Sequence, residues 1–157
     1  MTETDLRKSM EAYGDAVYRL ALCRLQNTAD AEDVYQEVFL RLFKQDCEAW
    51  EDTYQKAWLL RVTLNRCADI QRFRLRRQTV EWKDVPGSLP DETASELWAA
   101  VGRLPEKLRT VVHLHYAEGY STEEIAAMLG CPAATVRTRL LRGRKKLKEL
   151  LGGAEDA

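Results

Sequence analysis

The side chains with most chemical potential in this chain are cations gathered on one late segment. Arg137, Arg139, Arg142, Arg144, Lys145, Lys146 and Lys148 stand there with no acid among them. A guanidinium offers planar, paired donors that match a guanine edge or a phosphate, and a lysine ammonium offers a point charge for phosphate. A second basic group, Arg72, Arg74, Arg76 and Arg77, lies mid-chain, and Glu81, Asp84, Asp91 and Glu92 form an acidic stretch between the two. Nothing comparable points to catalysis. No serine, cysteine or carboxylate is visibly paired with a base, and no glycine loop suits a phosphate. His113 and His115 are read as packing or rim residues. Cys23, Cys47, Cys67 and Cys131 are widely spaced with no CxxC pair, so reduced structural thiols are expected. The expectation is a non-enzyme with no metal, no cofactor and no small-molecule substrate.

The formal net charge of −1 argues against an indiscriminate nucleic-acid binder, so the distribution of charge carries the argument. With 157 residues, 45% hydrophobic and 31% charged, the chain can bury one modest core or two small ones. No apolar run approaches the roughly 20 residues needed to span a bilayer, and residues 1–14 lack a signal peptide's basic end and apolar core. A cytoplasmic location is expected.

The elements that must position these cations read as helices throughout. Leu6, Met10, Tyr13, Val17 and Leu20 recur at intervals of three and four on a helix over 5–26. Asn27 and Thr28 offer cap oxygens to a second helix with Asp30, Glu32 and Asp33 in its first turn. Val34, Val38 and Leu42 share one line on it, with Tyr35, Phe39 and Phe43 on the next. Residues 45–55 lose periodicity and read mostly as a loop. A long helix then carries Trp58, Leu59, Val62, Arg66, Ile70 and Phe73, and Trp58 is expected in the core. Pro86, Gly87, Ser88 and Pro90 make 79–93 the densest set of breakers, hence a flexible linker. A short helix around 97–104 follows, then one from Pro105, suited to a first helical position, to about 116.

The strongest pattern comes last. Ser121 and Glu124 have capping-box spacing before a helix over 122–129, Gly130 to Pro132 stop it, and a basic helix runs over 133–150. A short capped helix, a glycine turn and a longer basic helix make a helix-turn-helix. Ile125, Ala126 and Leu129 are expected to pack on Val136 and Leu140. With Val136, Leu140 and Leu147 inward, the 100° step places Ala134, Arg137, Thr138, Leu141, Arg142 and Lys145 outward, where they can enter a major groove. Lys145, Lys146 and Lys148 suit phosphates.

At these same positions, Leu104-Pro105-Glu106, Arg109, Val111, Glu124-Ile125-Ala126, Leu129-Gly130, Thr135-Val136-Arg137, Arg139-Leu140, Arg142 and Arg144 resemble the C-terminal domain of extracytoplasmic-function RNA polymerase sigma factors. Gly143 departs from that pattern, which more often has alanine, and is expected to loosen the helix by about 1 kcal/mol. The N-terminal half resembles the same family. Ala31-Glu32-Asp33-Val34, Gln36-Glu37-Val38-Phe39 and Arg41-Leu42 are similar to its polymerase-docking helix. Trp58-Leu59, Arg61-Val62, Asn65-Arg66, Asp69 and Arg72 are similar to its minus-10 helix.

The resemblance implies an all-α chain of two small helical domains, 1–78 and 95–151, joined by a flexible linker at 79–94 and ending in a tail at 152–157. It implies minus-35 recognition by Ala134, Thr135, Arg137, Thr138, Arg139, Leu141, Arg142, Lys145 and Lys146. Minus-10 recognition would fall to Trp50, Tyr54, Arg61, Asn65, Arg66, Asp69, Arg72 and Arg76, with the 45–55 loop capturing a flipped base. Core polymerase would be met by Asp33, Gln36, Glu37, Phe39 and Leu40 on the beta-prime clamp helices, and by the C-terminal domain on the beta flap. The partners implied are core RNA polymerase, promoter DNA and an anti-sigma factor, and the acidic linker would imitate RNA charge. The alternative is a helix-turn-helix operator-binding regulator independent of polymerase, although no dimer seam is apparent.

Overall fold

A computed structural model of the chain describes residues 1–77 and 92–152, with only the helical backbone at 75–77 and 92–95. It divides into two compact units, Met1–Val85 and Pro86–Ala157. The acidic residues Glu81, Asp84 and Asp91, the side chains of Arg76, Arg77 and Glu92, and the tail beyond 152 lie outside what is described. The architecture is all-α, with no strand among the described residues, and no helix there is long and apolar enough to cross a membrane.

In the first unit, α1 (Glu3–Leu25) starts on a capping box: the Thr2 hydroxyl accepts from the Asp5 amide, and the Asp5 carboxylate accepts from the Thr2 amide. It ends on Gln26 in the left-handed region, and Asn27 immediately caps α2 (Thr28–Phe43) by accepting from the Asp30 amide at 3.0 Å. Two helices thus meet with no residue to spare, which makes them antiparallel neighbours. The third helix, α3 (Asp52–Arg77), starts earlier than the sequence pattern suggests, and Tyr54 sits in its first turn rather than in a loop. Asp52, which reads as part of a loop, instead lies in that first turn, where its charge favours the helix dipole.

Val17, Leu20 and Ala21 of α1, Val34, Val38 and Leu42 of α2, and Leu59, Leu60, Leu64 and Cys67 of α3 form the core. Because α3 packs on both partners, its buried line keeps the expected Leu59 but otherwise runs through Leu60, Thr63, Leu64 and Cys67. Trp58, Val62 and Ile70 are only half-buried and Phe73 is exposed. The far end of α3 is tied down by polar contacts: Arg74 donates to the Leu25 carbonyl and to Asp30, and Arg24 and Gln71 exchange two hydrogen bonds. Phe39 lies in the core at 2% exposure, its ring 4.9 Å from Tyr35, and does not face a partner as expected.

In the second unit, α4 (Glu92–Gly102) begins before the expected start. Pro105 precedes α5 (Glu106–Val112) as its cap residue, and a π-helical turn, His113–Ala117, continues it. Gly119 and Gly130, both at positive φ, close the turns on either side of α6 (Thr122–Leu129), and α7 (Ala133–Leu150) follows. Ala100, Val101, Leu104, Val111, Val112, Leu114, Ile125, Val136 and Leu140 make the core. His113 packs there, its ring 5.8 Å from Trp98 and its Nε2 3.5 Å from the Glu118 carboxylate. The half-buried His115 bonds the Tyr120 carbonyl.

Gly143 is buried, and a Cβ there would lie 2.7 Å from a Val112 methyl. The glycine is therefore a close-approach residue between α7 and α5, not merely a weak spot in a helix. Gly143→Ala should lower stability by up to about 2 kcal/mol, because overpacking costs about 1–3 kcal/mol and the better helix propensity returns only about 1 kcal/mol. Urea unfolding followed by circular dichroism checks this, and adding Val112→Ala should recover part of the loss. Phe39→Ala should cost about 3–5 kcal/mol in the same assay, the signature of a core aromatic.

Candidate nucleic-acid and polymerase interfaces

The helix-turn-helix is built from its caps inward. The Ser121 hydroxyl accepts from the Glu124 amide at 3.1 Å and the Glu124 carboxylate accepts from the Ser121 amide at 2.9 Å, so α6 starts where the sequence predicts. At its end the Gly130 and Cys131 amides both donate to the Ala126 carbonyl, closing a turn that positive φ at Gly130 permits. Ile125 and Ala126 of α6 are buried, as are Val136, Leu140, Gly143 and Leu147 of α7, while Leu129, expected to pack with them, is half-buried.

That burial decides the roll of α7. Ala134, Arg137, Thr138, Leu141, Arg142, Lys145 and Lys146 are exposed, while Thr135 and Arg139 are half-buried on the flanks. Leu141 is 64% exposed amid these cations, an apolar group that burial in the core does not explain. Such a mixture fits a major groove, where arginines meet guanine edges and apolar groups meet thymine methyls. Glu123 of α6 reaches within 3.9 Å of Arg137. Its carboxyl is held below the usual range first by its own backbone amide and then by the Thr122 hydroxyl. Arg144 donates to the Tyr116 hydroxyl at 2.8 Å, which draws it off the outward line.

On the first unit, α3 presents a separate face. Arg61, Asn65, Asp69 and Arg72 are exposed, and Arg66 is half-buried. Asp69 and Arg72 pair with each other one turn apart. Upstream of this face stand three aromatics, with Trp50 4.9 Å from Tyr54 and 5.5 Å from Trp58. Tyr54 is 55% exposed and Trp50 half-buried, so Tyr54 offers the freer ring face.

Beside the aromatics lies a cavity of about 510 Å³ that sequence reasoning does not find. It is lined by Asp5, Ser9 and Tyr13 of α1 together with Trp50, Asp52 and Gln55. Ser9 donates to the Gln55 side chain at 2.7 Å, joining residues 46 positions apart. Burial, and then Asp52, hold the Tyr13 phenol above its ordinary range. The polar Ser9 within an amphipathic stripe is the one sequence signal that marks the place.

A third face belongs to α2. Asp33, Gln36 and Leu40 are exposed and Glu37 is half-buried, one above another at helical spacing. Phe43, 38% exposed, extends this line in place of the buried Phe39. Glu37 also accepts from Arg66 at 2.6 Å, which links two residues expected at different sites. The four cysteines form no disulfide, and no cluster of possible metal ligands occurs among the described residues.

Residues 10–80 match the family model for sigma-70 region 2, and residues 94–147 match that for sigma-70 region 4. The chain is 36% identical over 151 residues to the ECF RNA polymerase sigma factor SigE of Mycolicibacterium smegmatis, covering 88% of this chain and 58% of that protein. It is 32% identical over 164 residues to the ECF RNA polymerase sigma factor EcfG of Rhodopseudomonas palustris, covering 96% of this chain and 88% of that protein. In fold it is similar to the sigma factor RpoE solved with the anti-sigma factor NepR from Bartonella quintana, with a TM-score of 0.79, 24% identity, and coverage of 94% and 97%. A helix-turn-helix unit and a three-helix unit, each matched to its own sigma-70 region in the same order, leave one conclusion: this chain belongs to the extracytoplasmic-function RNA polymerase sigma factor family.

Proposed function

We propose that this chain associates with core RNA polymerase and directs it to promoters, with α7 reading the minus-35 element and α3 with its aromatic neighbours holding the minus-10 element. The observation that carries this reading is the presence, in one chain, of matched region 2 and region 4 units. An operator-binding regulator would have no use for a region 2 unit, so that alternative is set aside.

Each face takes a distinct task. Arg137 and Arg142 read base edges in the major groove, Ala134, Thr138 and Leu141 supply short or apolar contacts, and Lys145 and Lys146 hold phosphates. Half-buried Thr135 and Arg139 serve the flanks. On the first unit Arg61, Asn65, Arg66, Asp69, Arg72 and Arg76 track the opened strand. Trp50 and Tyr54 stack on bases, and the adjacent cavity receives one extruded base, its carboxylates favouring a base with an exocyclic amine. Asp33, Gln36, Glu37 and Leu40, with Phe43, meet the beta-prime clamp helices as an acidic and apolar stripe. The second unit sits on the beta flap. An anti-sigma factor would act by covering these faces. A cytoplasmic location and a role without catalysis by the chain itself belong to the same reading.

The reading is tested by mixing the purified chain with sigma-free core RNA polymerase, isolating the complex by size exclusion, and assaying promoter opening on a genomic fragment library. A stable complex that opens selected fragments supports it, whereas DNA binding at physiological salt with no polymerase association would sink it. On a fragment so selected, Arg137→Ala should cost about 1–3 kcal/mol and relax preference at one base pair. Lys146→Ala should weaken all sequences alike and reduce the salt slope by about 0.9. Leu40→Ala should weaken core association while leaving the unfolding transition unchanged, and Tyr54→Ala should cost about 1–3 kcal/mol in strand binding.

A further inference from the structure

Tyr116 is an aromatic that the core does not claim. It stands four residues after the buried Val112, yet it is 53% exposed. Its position is fixed from behind. The π-helical turn His113–Ala117 carries it, and the Glu118 amide closes that turn on the His113 carbonyl five residues back. His115 meets its ring edge-on at 4.8 Å, and His115 is itself held by the Tyr120 carbonyl at 2.8 Å. Such π-helical turns are rare and occur frequently at functional sites. The phenol is thus a polar tip presented to solvent on a well-tied base.

What the phenol meets is Arg144 of α7. The Arg144 Nη1 donates to the Tyr116 hydroxyl at 2.8 Å, joining residues 28 positions apart. A guanidinium has further N–H donors to spare, and the hydroxyl, having accepted, keeps its own O–H to donate. With the two groups in contact, one anionic oxygen can lie within hydrogen-bond distance of both. The charge of Arg144 is also intact. Arg66, Arg72 and Arg74 of the first unit each meet a carboxylate, whereas among the described residues Arg144 is held by a neutral hydroxyl and pairs with no acid. Lys148, one turn further along α7, is exposed and adds to the positive potential there.

Helix geometry says where this pair stands. The 100° step puts Arg144 on the same edge of α7 as Arg137, the edge that Glu123 of α6 approaches, and puts Arg139 and Lys146 on the other edge. A helix lying in a major groove about 12 Å wide has one backbone wall along each edge. We infer that Tyr116 and Arg144 form a site for a DNA phosphate on the wall opposite the one met by Lys146, so that α7 is gripped by both strands. Tyr116, which precedes the helix-turn-helix, holds the guanidinium in place and gives its own O–H to the same phosphate. Holding the arm before DNA arrives saves part of the rotamer entropy that a free arginine loses on docking. The inference rests on the reading of α7 as the helix in the groove.

The test reads the anisotropy of a short fluorescein-labelled duplex of mixed sequence, because phosphate contacts are independent of sequence. The full-length chain is titrated at several salt concentrations. Arg144→Gln should lower the salt slope by about 0.9, the value of one phosphate contact on duplex DNA. Tyr116→Phe, which keeps the ring and loses only the hydroxyl, should weaken binding about threefold and leave the unfolding transition unchanged. The double variant should lose less than the product of the two single losses, because both donors serve one anion. Tyr116→Phe binding as tightly as the unaltered chain or more tightly, an unchanged slope for Arg144→Gln, or losses that simply multiply would overturn the site. So would variants that bind duplex normally but associate less with core polymerase, a result that moves the pair to a protein contact. Lys146→Ala in the same titration separates the two levels of the argument. If it too leaves binding unchanged, the groove assignment has failed and takes the phosphate site with it, whereas a weakened Lys146→Ala beside an unaffected Tyr116→Phe defeats the phosphate site alone.

Discussion

Helix roll is the constraint on which each surface of this protein depends. An α-helix turns 100° per residue, so choosing which narrow line is buried also chooses which line meets solvent. In α7 the buried line is Val136, Leu140, Gly143 and Leu147, and it is held from beneath by α5 and α6. Gly143 lets the backbone approach Val112 closely enough to set that roll. Arg137, Thr138, Leu141 and Arg142 are outward as a consequence.

The same logic governs the first unit, where the constraint is stricter because α3 packs on two helices at once. Leu59, Leu60, Leu64 and Cys67 are all at or below 3% exposure, which leaves only a limited arc of α3 for solvent. Asn65, Asp69 and Arg72 occupy that arc. The polar ties at the end of α3, from Arg74 to Asp30 and from Gln71 to Arg24, hold its register against the turn between α1 and α2. Together these contacts give the unit one exposed polar face on α3 and another, acidic and apolar, on α2.

Charge follows the fold in a way that the linear count conceals. A net charge of −1 hides a cationic face on α7 that only Glu123 approaches, while among the described residues of α3 Arg66, Arg72 and Arg74 each meet a carboxylate. Arg142, Lys145 and Lys146 of α7 are exposed, whereas Arg137 lies within 3.9 Å of Glu123 and Arg144 donates to Tyr116.

The sequence alone determined the helix-turn-helix, because its signals are local: a capping box at Ser121 and Glu124, a left-handed glycine at 130, and a 3.6-residue period fixing the outward arginines. It also determined the family resemblance and the all-α class. Tertiary structure decided what depends on partners distant in the chain. Phe39 and Leu40 are both apolar neighbours on α2, and only the packing of α2 on α1 and α3 shows that Phe39 is buried and Leu40 exposed. Periodicity suggested Trp58, Leu59, Val62, Arg66, Ile70 and Phe73 for α3, but contact with two helices buried Leu60, Leu64 and Cys67 beside Leu59 and left the others half-buried or exposed. The cavity joining Ser9 to Gln55 and the pair joining Glu37 to Arg66 bring together residues 46 and 29 positions apart. No local propensity encodes such meetings, because they arise only when buried stripes dock and set the neighbours of every side chain that remains outside.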